Sequence, residues 1–215
     1  MFDRVLRGVA LQLAGRDWAQ LKPLVIREYE RHKTDLEYVP PLPAQELLVA
    51  GEDHRFFSHP GVDPIAICRA VWRRVAFGKI EGASTIAQQL VRVLTGRYEQ
   101  TLYRKFKEIV LAVLITTVVP KSVLPSLYLR IGYFGWRMNG FREACRRLGF
   151  RPDGMTLLDC AELVARLKYP EPRVAPSERV SLIRRRATHL LKLRRQKHRY
   201  LVRRLPAREI THEPV

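Results

Sequence analysis

No stretch of this chain alternates apolar and polar residues long enough to make a strand. Apolar residues return instead at three- and four-residue steps, so the chain can bury them only by packing helices. Residues 1–35 read as the first helix. Phe2, Val5, Leu6, Val9 and Leu13 form an apolar stripe with Arg4, Arg7 and Arg16 nearby. Such a stripe either packs on the core or lies in a membrane interface as a basic amphipathic helix. Pro40, Pro41 and Pro43 then break the pattern. Asp63 before Pro64 is an N-cap for a helix through Val75. Ser84 or Thr85 caps another through Leu94. Helices are predicted over 101–119, over 121–135 into a glycine-rich turn, and over 156–167. This divides the chain into an N-terminal amphipathic helical segment, 1–38, a main domain, 39–195, and a basic tail, 196–215.

The net charge of +18 over 215 residues requires an anionic partner. Residues 179–208 hold 12 Lys or Arg and no Asp or Glu. Apolar residues persist there (Leu182, Ile183, Leu190, Leu191), which marks a patterned helix and not a solvated tail. Its basic face is either plain solvent surface or a dock for an anionic bilayer or nucleic acid. No helix-turn-helix, zinc-finger or RNA-recognition signature is present, so nucleic acid is not the expected partner. Cys68, Cys145 and Cys160 have neither metal-ligand nor disulfide spacing and read as small buried hydrophobes. The longest apolar run, Ile109–Val119, stops at Pro120, short of a bilayer span. Asp3, Arg4 and Arg7 interrupt any signal-peptide core at the N-terminus.

Three blocks carry chemistry. The first runs from Glu52-Asp53 through Phe56, His59 and Gly61 to Asp63. The second is Gly82-Ala83-Ser84-Thr85-Ile86-Ala87-Gln88-Gln89. The third is Arg104-Lys105-Phe106-Lys107-Glu108. Val49, Ala50, Phe56 and Phe57 would desolvate Glu52 and Asp53 would add like charge, both raising its pKa. Gly82 and Ala83 let backbone approach a ligand closely. Arg104, Lys105 and Glu108 fall within one helical turn, as intrahelical ion pairs do.

In this order and spacing the blocks resemble the first three motifs of the family 51 glycosyltransferases. These peptidoglycan transglycosylases polymerise lipid II. The resemblance covers about residues 35–195. It implies a mainly α, lysozyme-like fold with a large lobe and a smaller membrane-associated lobe. It implies inverting transfer from a polyprenyl pyrophosphate donor. Glu52 would be the general base and Glu108 the second essential carboxylate, orienting cations or holding a divalent ion such as Mg2+. Asp53, Phe56, His59, Ser84, Thr85, Gln88, Gln89, Arg92, Arg104 and Lys105 would bind substrate. The implied partners are lipid II, the growing glycan, an anionic membrane surface and other cell-wall synthesis proteins. The implied location is peripheral, on the extracytoplasmic face of the bacterial cytoplasmic membrane.

The chain departs from the family pattern at the fourth motif. Ser126 stands where Glu is usual and Arg130 where Asn is usual, with Pro125 inside the motif just before Ser126; Trp136, Arg137 and Met138 replace small or polar residues. Arg130 is expected to add positive charge near Arg92, Arg104 and Lys105. A second expectation follows from these departures: a non-catalytic relative that binds membrane or a polysaccharide-assembly partner.

Overall fold

The computed structural model describes residues 2–35, 37–79, 82–202 and 205; the side chains of 2–7 and 198–202 lie outside that description. Among the described residues the fold is mainly α-helical. The helices are α1 (Phe2–Thr34), α2 (Leu42–Glu52), α3 (Pro64–Phe77), α4 (Ile86–Thr95), α5 (Leu102–Ile115) and α6 (Leu124–Ile131). A two-stranded antiparallel hairpin follows, β1 (Tyr133–Gly135) and β2 (Met138–Asn139). Then come α7 (Phe141–Leu148), α8 (Leu157–Lys168) and α9 (Ser177–Val202).

Helix α1 packs mainly along α5. Its buried residues are Ala10, Ala14, Trp18, Leu21 and Val25, which recur at helical spacing. Val9, Leu11 and Leu13 point to solvent. The expected stripe thus continues outward at Val9 and Leu13, while a second stripe holds the core; Phe2, Val5 and Leu6 lie outside the described side chains. The boundary near 38 falls in the loop before α2, and the one near 195 falls inside α9. Most of the basic tail lies outside the described residues.

The local signals act where the side chains can reach. Asp63 Oδ1 accepts from Ile65 N at 3.0 Å and Ala66 N at 3.1 Å, starting α3. Thr85 and Gln88 close a capping box on α4. Pro41 and Pro43 do not make a linker: Pro41 is the N-cap of α2, and Pro43 sits in its first turn, where a missing N–H costs nothing. Pro125 is accommodated in the first turn of α6 for the same reason. The predicted helix over 121–135 stops at Ile131, because Gly132 takes extended φ/ψ and the chain enters the hairpin. Strands of three and two residues were too short to show alternation. Cys145 and Cys160 are buried, and desolvation pushes both thiols up to about 12. Cys68 is exposed on α3, against the expectation of burial.

Helices α2, α8 and α9 form one packed group, and α4, α5 and α6 join it through α2–α6 and α4–α6 contacts. Gly51, at the end of α2, is what lets α9 approach: a Cβ there would stand 2.1 Å from Leu190 Cδ2. Gly61 has φ 102° and its Cβ position meets Ala112 O at 2.3 Å, so this turn before α3 needs glycine for both conformation and space.

Candidate active site

The first motif divides into a scaffold and a working group. Asp53 is buried, with Oδ1 2.9 Å from His59 Nε2 and Oδ2 accepting from Ile86 N at 3.1 Å. It therefore ties the loop after α2 to the start of α4. Thr85 Oγ1 donates to Gly61 O at 2.6 Å, and Gln88 Oε1 accepts from Thr85 N at 2.9 Å. Phe56 is buried edge-on against Phe57. Lys121 Nζ donates to His59 O and lies over the Phe56 ring at 4.9 Å. Burial pulls the Lys121 amine down to about 8 against the opposing pull of Asp53 and Asp63. Asp53, Phe56, His59, Thr85 and Gln88, expected at the substrate, are thus buried, and Asp53 and Thr85 line the recess that Glu52 and Ser84 share.

The working group surrounds two carboxylates. Glu52, at the last residue of α2, is partly exposed. Its Oε1 accepts from Arg186 at 2.7 Å and its Oε2 from Gln89 Nε2 at 3.2 Å. Arg186 reaches across from α9 and also donates to Gly51 O at 3.0 Å. Arg186 is thus the charged group bonded to Glu52, while Asp53 turns toward His59.

Glu108 on α5 is only 2 % exposed. Its Oε1 accepts from Arg92 at 3.0 Å and Lys105 at 2.8 Å, and its Oε2 accepts from Arg92 Nε at 3.2 Å and from Arg104. Burial alone would raise its pKa; the bonds and charges of Arg92 and Lys105 hold it below the ordinary carboxylate value. Burial also lowers the Lys105 amine, with Arg92 and Arg104 adding to the shift and Glu108 opposing it.

The two carboxylates are linked through the second motif. Glu52 and Ser84 line one recess, and Lys105 Nζ donates to Ser84 Oγ at 2.8 Å while also holding Glu108. Gln89 and Arg92, one turn apart on α4, each hold one of the two acids. Three cations face one carboxylate at Glu108, which leaves two positive charges for an anionic ligand. A roomier concavity of about 470 Å3, between residues 37–41 and 150–153, shares no residue with this group.

Glu108 does not fit a resident divalent cation. Both its oxygens are filled by cationic donors that would repel a metal, and the described residues hold no cluster of three His, Cys, Asp or Glu side chains. Arg130 is also corrected. Its guanidinium bonds the Asp35 carboxylate at 2.8 Å and the Tyr38 carbonyl at 3.3 Å, so it clamps the loop after α1 and is bonded to none of Arg92, Arg104, Lys105 or Glu108. Arg186 and Lys121 were missed as site residues. The only sequence signals were a basic run in α9 and a lysine following Pro120.

A profile of the family described as Transglycosylase matches residues 19–194. The chain belongs to that family; it is a family 51 transglycosylase domain. It is 34 % identical over 169 residues to penicillin-binding protein 1A of Escherichia coli, covering 77 % of this chain and 20 % of the relative. A protein of Cupriavidus necator named "Putative transglycosylase" is 32 % identical over 193 residues, covering 84 % of this chain and 81 % of that one. Penicillin-binding protein 1F of Bacillus subtilis is 38 % identical over 105 residues, covering 48 % and 15 %. The chain thus spans a fifth or less of the length of the penicillin-binding proteins it matches.

Proposed function

We propose that this domain polymerises lipid II into β-1,4 glycan by inverting glycosyl transfer. One observation carries the reading: a partly exposed acid, Glu52, and a buried acid held by three cations, Glu108, are connected through Ser84 and Lys105. Glu52 accepts the proton of the acceptor's 4-hydroxyl as that oxygen attacks the anomeric carbon of the donor. The bond to the lipid pyrophosphate breaks, and its developing charge falls to Arg92, Arg104 and Lys105. Glu108 holds these three side chains in place while offsetting only one of their three charges. The lysozyme-like arrangement of a large and a small lobe is part of the same proposal.

Membrane contact is supported by the exposed Val9 and Leu13 on α1 and by Ile65, Trp72, Val75 and Phe77 on α3, which also carries Arg69, Arg73 and Arg74. No helix among the described residues is long and apolar enough to cross a membrane. These exposed apolar and basic surfaces would meet the extracytoplasmic face of the membrane, where lipid II is consumed. The ion pair of Glu52 with Arg186 favours a second reading, a lipid-binding relative without turnover.

Purified protein incubated with labelled lipid II distinguishes them. Glycan ladders should form, and Glu52→Gln should abolish them while the labelled donor still binds. Unchanged polymerisation by that variant removes Glu52 as base, and binding without ladders in the unaltered protein establishes the second reading.

A further inference from the structure

Trp136 and Arg137 form the tip of the β1–β2 hairpin. Three guanidiniums gather on this one indole: Arg137 at 4.6 Å from the ring centroid, Arg147 at 4.7 Å and Arg173 at 5.3 Å. They come from the hairpin, from α7 and from the loop before α9. All three lie within about 10 Å of one another, roughly one Debye length at 0.1 M salt, so they repel. No carboxylate relieves this. Among the described residues none of the three has an acidic partner, and the acids on the adjoining elements are engaged elsewhere. Glu143 pairs with Arg146 at 3.2 Å, and Glu171 with Arg166 at 2.8 Å.

Stacking on Trp136 does not account for the arrangement. An indole has two faces, and two cations would fill them. Arg147 Nε is buried without an acceptor. Arg137 takes φ 55°, a left-handed conformation unfavourable for a side-chain-bearing residue, and it is the one non-glycine residue with positive φ among those described. Trp136 N donates to Glu171 O at 2.7 Å, which fixes the tip while leaving Trp136 partly exposed. A strained backbone, an unmet donor and three uncompensated charges converge at one accessible point.

We infer that Trp136, Arg137, Arg147 and Arg173 form a binding site for a multivalent oxyanion of the phosphate type. Guanidinium forks match phosphate oxygens in geometry, and a doubly charged group suits three cations better than a single carboxylate does. The site shares no residue with the Glu52–Glu108 group, so it stands whether or not the chain polymerises glycan. The phosphate belongs either to a lipid headgroup or to a soluble molecule.

Indole fluorescence tests the site and its source. Inorganic phosphate titrated at low salt should give a saturable change that Trp136→Phe removes. Arg147→Ala, and the surface variant Arg173→Ala, should each weaken binding roughly tenfold. Vesicles of phosphatidylglycerol in phosphatidylcholine, compared with phosphatidylcholine alone, form the second arm. Competition between anionic vesicles and phosphate assigns the site to a headgroup. Phosphate binding that these vesicles do not disturb assigns it to a soluble ligand. The inference is overturned if neither probe gives a saturable change, or if the arginine variants bind phosphate as the parent does.

Discussion

Arg186 on α9 stands 2.7 Å from the carboxylate of Glu52, 134 positions earlier in the chain. The same guanidinium holds Gly51 O at 3.0 Å, so it fixes both the acid and the end of the helix that carries it. Arg186→Ala should therefore leave donor affinity near its parent value and lower the maximal rate by about 10²-fold, the penalty of a misplaced catalytic group. Arg186→Lys should recover only part of that rate, since a point charge cannot make both bonds. Steady-state kinetics with lipid II separates the two effects. An Arg186→Ala variant with parental turnover contradicts the positioning role.

Glu108 is the sole acid among Arg92, Arg104 and Lys105, and its removal leaves three crowded cations. Glu108→Gln should destabilise the fold by about 2–3 kcal/mol at pH 7, a reduced value for a buried pair whose partners reach solvent. The folded carboxyl titrates below its unfolded value. Its stabilisation is therefore complete above the unfolded pKa, about 4.3, and is lost as pH falls through the lower folded value. The gap between parent and variant in urea unfolding should narrow on acidification. Chelation by EDTA should leave the stability of the ligand-free protein unchanged, because both Glu108 oxygens are filled by cationic donors.

Lys121 should reveal itself on the alkaline side. Its folded amine titrates at about 8, below the ordinary lysine value of about 10.4. Between those values the unfolded chain binds more protons, so the contribution of this group to stability rises with pH across that window. Below pH 8 both states are charged and the burial penalty is complete. Relative to Lys121→Met, the parent should gain stability from pH 8 toward pH 10, as read from urea midpoints. A constant difference across that range would show that the amine is not depressed.

The Arg130 clamp predicts a separation of stability from activity. Arg130→Asn restores the residue usual in the family but removes the bonds to Asp35 and Tyr38 O. Loss of a charge-assisted bond should lower stability by about 1.5 kcal/mol. Polymerisation by the folded protein should be unchanged, since the guanidinium touches none of the groups around Glu108. A change in donor affinity in this variant would place its charge back at the site.

Features within one turn of chain were legible before any coordinates. Asp63 and Thr85 start helices because a side-chain oxygen two or three residues away reaches the open N–H groups. Arg104, Lys105 and Glu108 meet because they share a helical turn. What was illegible was set by distance along the chain. Nothing in a run of arginines says that Arg186 faces Glu52 while Arg194 faces Glu46. Nor does an acid pair say which member turns inward; Asp53 does so because Ile86 N and His59 are waiting there, and that depends on how α2 and α4 pack. The reassignment of Arg130 has the same origin, since its partner Asp35 lies 95 positions away.

The bond between Arg186 and Glu52 also sets an order of events during synthesis. A ribosome releases the acid long before the guanidinium that aims it, and nothing earlier in the chain supplies that bond. A translation product halted before α9, or a fragment clipped there by a protease, carries every motif of the first half and still lacks the guanidinium that holds Glu52. On the proposed reading, polymerisation is thereby reserved for chains that have been read through to their last helix.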